Sequence, residues 1–157
     1  MDYTDVIVKK PWGMEYLCYR NEEVAIWYLY IEKDKQTSMH CHPNKNTGFV
    51  VLEGKAELSF LRNSVHLEGL DKIHIFRSRF HSTRAITDSY IFEIETPEDK
   101  HDLVRLDDAY GRAGTEYEGK NAHLPKNDSC FWIEEASELP KEYVIRDCKV
   151  EHILITH

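Results

Sequence analysis

The chain has 157 residues, 41% of them hydrophobic and 31% charged, and its 20 Lys+Arg against 28 Asp+Glu leave a net charge of −8. That balance describes one folded domain, too apolar for a disordered chain and too charged for a membrane protein, with no run near the roughly 18 apolar residues of a span. The acidic surplus excludes a general nucleic-acid binder, which needs a basic face to neutralise phosphates.

The opening Met1-Asp2-Tyr3-Thr4-Asp5 lacks the basic and apolar blocks of a secretory signal, so a cytoplasmic chain is expected, with no membrane partner. Cys18, Cys41, Cys130 and Cys148 are scattered without a CxxC pair, which fits reduced thiols better than a zinc ribbon or a disulfide framework.

Along the chain the dominant period is two. Strands are predicted near 5–9 and 14–20, then over 23–32, where Ala25, Trp27, Leu29 and Ile31 alternate with Val24, Ile26, Tyr28 and Tyr30. With both sets apolar or aromatic, that strand is expected to be central and covered on both faces. Further strands are predicted near 36–42, 47–53, 55–60, 72–76, 82–87, 90–96 and 150–156, separated by turn formers such as Glu53-Gly54-Lys55. Short helical turns are expected at Thr96-Pro97-Glu98-Asp99 and Asp107-Asp108-Ala109-Tyr110-Gly111. Residues 111–130, rich in Gly, Pro, Asn and Asp, read as a long surface loop. Many short strands with short connections predict an all-β sandwich or barrel.

The chemistry is concentrated in Thr37-Ser38-Met39-His40-Cys41-His42-Pro43, followed by Gly48-Phe49-Val50-Val51-Leu52-Glu53-Gly54. Residues i and i+2 of a strand share a face, so His40 and His42 present two imidazoles side by side, and His81 opens another predicted strand that a barrel can bring opposite them. Three neutral imidazoles with open positions suit a divalent Zn, Fe, Ni or Mn ion. Cys41 points to the other strand face and reads as a small buried hydrophobe. His66, His74, His101, His123, His152 and His157 match no ligand spacing. Arg77, Arg79 and Arg84 cluster around His81, and a basic rim there, with Arg79 and Arg77 as its substrate-binding candidates, could hold a phosphate or carboxylate. Glu93 and Glu95 share one face of a late strand, and either could serve as a general base if that face is the cavity.

These residues resemble the cupin superfamily, whose first motif has the form G-x5-H-x-H-x3–4-E-x6-G. His40-Cys41-His42 supplies the H-x-H, Gly54 the closing glycine, and His81 falls where the histidine of the second motif belongs. Thr47 occupies the position of the family glutamate, and Phe76, Ser78 and Ala85 replace the second motif's proline, glycine and asparagine. The entry Val8-Lys9-Lys10-Pro11-Trp12-Gly13-Met14-Glu15-Tyr16 and the segment from Ser38 to Gly54 are most similar to the cupin domain of type II mannose-6-phosphate isomerase / mannose-1-phosphate guanylyltransferase enzymes.

The resemblance implies a cupin-type antiparallel, jelly-roll-like β-barrel over residues 1–110. A loop-rich C-terminal extension, 111–157, would pack on the barrel or on a partner, and a homodimer is expected. It implies a metal held by His40, His42 and His81, with Thr47 beside it, and a small anionic sugar derivative as ligand: a sugar phosphate or nucleotide-linked sugar, in an isomerase- or epimerase-like role in carbohydrate biosynthesis. Two alternatives stand beside it: a three-histidine Fe(II) dioxygenase, as in the superfamily's thiol dioxygenases, and a non-catalytic carbohydrate-binding module.

Overall fold

A computed structural model describes residues 3, 6–97, 99–112, 117, 122–125, 142–145 and 148–151. Among them strands and turns predominate, with no α-helix. In chain order they are β1 (Val6–Lys10), β2 (Gly13–Arg20), β3 (Ala25–Ile31), β4 (Met39–Cys41), β5 (Asn46–Glu53), β6 (Lys55–Phe60), β7 (Ser64–Glu68) and β8 (Lys72–Ile75). There follow β9 (His81–Ala85), β10 (Ser89–Thr96), β11 (Val104–Asp107), β12 (His123–Pro125), β13 (Glu142–Ile145) and β14 (Cys148–Glu151). Two antiparallel sheets form the barrel, one ordered β12-β1-β2-β3-β10-β5-β8 and the other β11-β4-β9-β6-β7.

One apolar cluster joins the two sheets. Val8, Trp27, Ile31, Val51 and Ile91 come from the first, and Ala56, Leu58 and Ala85 from the second. Each is an alternate residue of its strand, so the period of two becomes an inward, dry row on either side of the core. Gly13 and Gly54 are dictated by close approach: both have positive φ (144° and 94°), and a Cβ would lie 2.0 Å from the Tyr30 carbonyl oxygen at Gly13 and 2.2 Å from that of Asp88 at Gly54.

The compact unit of the barrel runs Met1–Pro125 and includes β12, which pairs with β1 from within the expected extension. Residues Lys126–His157 form a second unit, in which β13 and β14 make an antiparallel hairpin. Residues 152–156 of the predicted last strand, and most of the predicted 111–130 loop, lie outside the described residues.

Two expectations change. The helical turn expected at 107–111 is an Asx-type turn instead, in which the Asp108 carboxylate accepts the N–H groups of Tyr110 and Arg112 at 3.2 and 2.7 Å; the turn expected at 96–99 includes Glu98, which lies outside the described residues, and just after it the Asp99 carboxylate accepts the His101 N–H at 2.8 Å. Aspartates that bond the backbone ahead of them compete with a helix for those donors. β3 is central, between β2 and β10, but only one face is deeply covered. Ile26, Tyr28 and Tyr30 on the other face are half-buried, shielded by ring stacking of Tyr16 on Tyr28 (4.9 Å) and Tyr30 on Tyr90 (5.1 Å).

Candidate metal centre

β4 lies between β11 and β9, and its residue His40 is the register partner of His81 on β9. His42 follows just after β4 on the same side, as strand parity requires. The three rings meet with centroids 4.5 Å (His40–His81), 5.0 Å (His40–His42) and 5.7 Å (His42–His81) apart, and their ligand atoms lie within 4.8 Å of one another.

Each ring is oriented by its Nδ1. That of His40 donates to the Ser38 carbonyl at 2.8 Å, that of His42 to the Asp102 carbonyl at 2.6 Å, and that of His81 to the Arg79 carbonyl at 2.9 Å. A carbonyl can only accept, so each Nδ1 carries the hydrogen and each Nε2 keeps a lone pair. The Nε2 atoms of His42 and His81 are buried without a hydrogen-bond partner, a costly state that a metal ion relieves. Burial holds all three rings neutral: His42 is pushed down to about 2 and His81 to about 4, and His40 lies well below the ordinary range, pushed further by its neighbouring imidazoles. Neutral, orphaned and convergent Nε2 atoms fit a divalent ion of the Zn, Fe, Ni or Mn class.

Asp102, which the sequence reading did not single out, fixes the approach to the site. Its carboxylate accepts the N–H groups of Asn44 and Lys45 (3.0 and 2.9 Å) and the Asn44 side-chain amide (2.9 Å), tying down the segment after His42. Thr47 is buried on β5 with its hydroxyl unpartnered, opposite Glu95 of β10 in register.

His40 and His42 line an interior cavity of about 60 Å³ together with Trp12, Leu29, Phe49 and a set of charged side chains. Lys45 Nζ lies 2.6 Å from Glu95 Oε1, and Lys100 Nζ reaches the same oxygen at 3.2 Å. Glu15 Oε1 takes Lys10 at 3.3 Å, Lys100 at 3.6 Å and the Tyr117 hydroxyl. Buried ions are tolerable only when paired in this way. Burial acts to raise Glu15, but its two lysines and the Tyr117 hydroxyl outweigh it and lower it to about 2, whereas burial and the Glu95 charge raise Glu93 to about 7. Lys100 is held firmly charged by the carboxylates around it, against the effect of burial.

Arg77 and Arg79 stand exposed, and neither lines this cavity. Arg79 holds His81 through its carbonyl and lays its guanidinium 4.5 Å over the Phe60 ring, while Arg84 pairs with Asp34 at the surface. The cations that do line the cavity are Lys10, Lys45, Lys100, Arg105 and Arg112. Arg105 is the register partner of His40, so it comes from the strand beside the first ligand.

Neither a family model nor a curated protein matches this sequence. Solved structures match its fold. An RmlC-like cupin from Shewanella frigidimarina superposes with a TM-score of 0.56 at 16% identity, over 60% of this chain and 85% of that one. KdgF from Halomonas sp. gives 0.55 at 14% identity, over 57% and 84%. A conserved protein with a double-stranded β-helix domain from Klebsiella pneumoniae gives 0.55 at 12% identity, over 60% and 79%. The chain thus has the cupin-type fold that its motifs implied. Among the described residues no helix is long and apolar enough to cross a membrane.

Proposed function

We propose that this protein is a metal-dependent cupin that binds a small anionic sugar derivative, a sugar phosphate or nucleotide-linked sugar, and interconverts it as an isomerase or epimerase would. The observation that carries this reading is the joining of two features at one cavity: a neutral three-histidine centre and a lining in which five cationic side chains stand against three carboxylates, in a chain of net charge −8. A divalent ion on three neutral ligands keeps its full charge, which favours an anion nearby. The PWG entry and the Ser38–Gly54 segment, similar to a sugar-phosphate cupin, support the sugar part of the reading.

A bound divalent ion would polarise a carbonyl or hydroxyl oxygen of the ligand. The chain supplies the rest. His40, His42 and His81 hold the ion, the interior cations orient the anionic group, and Trp12, Leu29 and Phe49 keep water out of the inner end. A water needs about 10–15 Å³ of space open to its centre, so a cavity of about 60 Å³ on that measure admits the reacting end of a ligand.

The test is elemental analysis of protein purified without added metal, followed by calorimetry against sugar phosphates and nucleotide sugars with and without chelator. Stoichiometric metal and chelator-sensitive binding are expected. Saturable sugar binding indifferent to chelation would identify a carbohydrate-binding module instead. The ligand set of three histidines with Thr47 in place of the carboxylate favours a second reading, an Fe(II) dioxygenase, which bound iron with oxygen consumption would establish.

A further inference from the structure

We propose that Glu93 is the catalytic proton carrier of this cavity, taking a hydrogen from the carbon beside the ligand's carbonyl and returning it to the neighbouring carbon. The inference rests on the reading that the ligand is a small sugar derivative bound at the three-histidine centre. Glu93 lies on β10, faces the barrel interior, and lines the cavity that His40 and His42 also line. Its register partners are Trp27 on β3 and Phe49 on β5. Phe49 in turn meets the His81 ring edge-on at 6.0 Å, which links the strand beside Glu93 to the three histidines.

The three interior carboxylates are sorted by their partners. Glu15 is engaged by Lys10, Lys100 and the Tyr117 hydroxyl, and it is too weak a base to take a proton from carbon. Glu95 is clamped through Oε1 between Lys45 and Lys100. Glu93, only 7% exposed, has neither a hydrogen-bond donor nor an ion-pair partner among the described residues. Beside it stand Glu95, two positions along the strand, and the Lys100 ammonium, which lies 3.6 Å over the ring of its strand neighbour Trp27. Glu95 and burial favour the protonated form, Lys100 opposes it, and the outcome near 7 lets the group both accept and give a proton at neutral pH.

The step conserves atoms and electrons. In an aldose–ketose interconversion the Glu93 carboxylate removes the hydrogen on C2. The C–H pair becomes the C1=C2 bond of an enediolate, and the former carbonyl pair moves to O1, which carries the negative charge. Glu93 then gives the proton to C1, the hydroxyl proton passes from O2 to O1, and the carbonyl re-forms at C2. No oxidant or reductant is consumed.

Two measurements test it. In metal-free protein, infrared titration should show a buried protonated carboxyl that deprotonates near pH 7 and is missing from Glu93→Gln. In the metal-loaded protein, with mannose 6-phosphate, glucose 6-phosphate and fructose 6-phosphate in heavy water, Glu93→Gln should take up metal and bind sugar phosphate within a few-fold of wild type. Its deuterium incorporation at carbon should fall by at least about 100-fold. Glu93→Asp, with a carboxyl one methylene shorter, should retain part of the exchange. Wild-type exchange that survives Glu93→Gln within tenfold, or sugar binding without any wild-type exchange, overturns the role of Glu93 and leaves the binding reading intact. Absence of metal uptake or of binding by wild type overturns that reading, and the role of Glu93 with it.

Discussion

Stripped of metal, the protein should lose about 3 kcal/mol of folding stability between pH 6.5 and 4.5, chiefly through its own site histidines. In the fold His42 and His81 stay neutral down to about 2 and about 4, whereas histidine in the unfolded chain protonates near 6.5. Over that window the unfolded state therefore takes up protons that the native state refuses, and each ring costs ~1.4 kcal/mol of stability per pH unit. Glu93 acts in the opposite sense. Its folded value near 7 exceeds the unfolded 4.5, so the native state binds the proton first and regains ~1.4 kcal/mol per unit. Two losses against one gain leave ~1.4 kcal/mol lost per unit over two units, and His40, shifted in the same direction as the other rings, steepens the fall. Glu15 enters only below 4.5. Urea unfolding in chelator at pH 6.5, 5.5 and 4.5, followed by fluorescence of the buried Trp12 and Trp27, reads this directly. Glu93→Gln removes the offset and should steepen the fall by ~1.4 kcal/mol per pH unit. A midpoint that stays constant or rises as pH falls through this window would refute the reasoning. Excess Zn should move the loss to lower pH, because the ion holds the imidazoles neutral.

Asp102→Ala should lower stability by about 2–4 kcal/mol by leaving the Asn44 and Lys45 donors unpaired, and should weaken metal binding by about 10–100-fold by loosening the segment that aims His42; thermal melts and chelator competition check both. Thr47→Glu should tighten divalent-metal binding by adding a carboxylate beside the three histidines, and an unchanged or weaker affinity in the same competition would mean that β5 does not deliver residue 47 to the ion. Arg105→Gln should weaken binding of a sugar phosphate far more than that of its unphosphorylated parent, whereas Arg79→Ala, removing an exposed guanidinium outside the cavity lining, should affect both little; calorimetry on the pair of ligands separates the two arginines.

What could be read from the sequence was whatever leaves a local trace. Alternating apolar residues in β3, β6 and β10 announce strands, and the spacing of His40 and His42 announces a shared face, because both depend on neighbours one or two positions away. Gly54 is legible for the same reason, since its turn needs a positive φ at one position. The interior ion network left no such trace. Lys45 and Glu95 are 50 residues apart, and each by itself looks like an ordinary surface charge. Asp102 was hidden likewise, by a separation of 60 residues from the ring it orients. β11 inverted the usual signal: Val104 and Leu106 face outward, 46% and 56% exposed, while Arg105 faces the cavity. Hydropathy assigns such a strand the wrong face, so nothing in the local pattern points to Arg105, whereas Arg77 and Arg79 draw notice by lying next to His81 in the sequence. β7 was missed because only Leu67 among its five residues turns inward to the core.

The charge inside the barrel argues for an anionic ligand independently of any family likeness. Lys10, Lys45 and Lys100 are matched by Glu15, Glu95 and Glu93 only when Glu93 is ionised, and Arg105 and Arg112 of the same lining come on top of them. Neutral histidines add nothing to this charge, so a bound divalent ion adds two more positive charges to an interior whose lining is already cationic, and protonation of Glu93 adds a third. In a folded low-dielectric interior such an excess is expensive. A carboxylate at position 47 would have offset part of it permanently, but Thr47 cannot. The compensation must then arrive with the ligand, as a phosphate or carboxylate beside the Lys and Arg side chains, and leave with it. Binding of that anion would further disfavour the Glu93 carboxylate, so it should proceed with proton uptake at neutral pH, and only the fraction in which Glu93 remains ionised can take the hydrogen from C2.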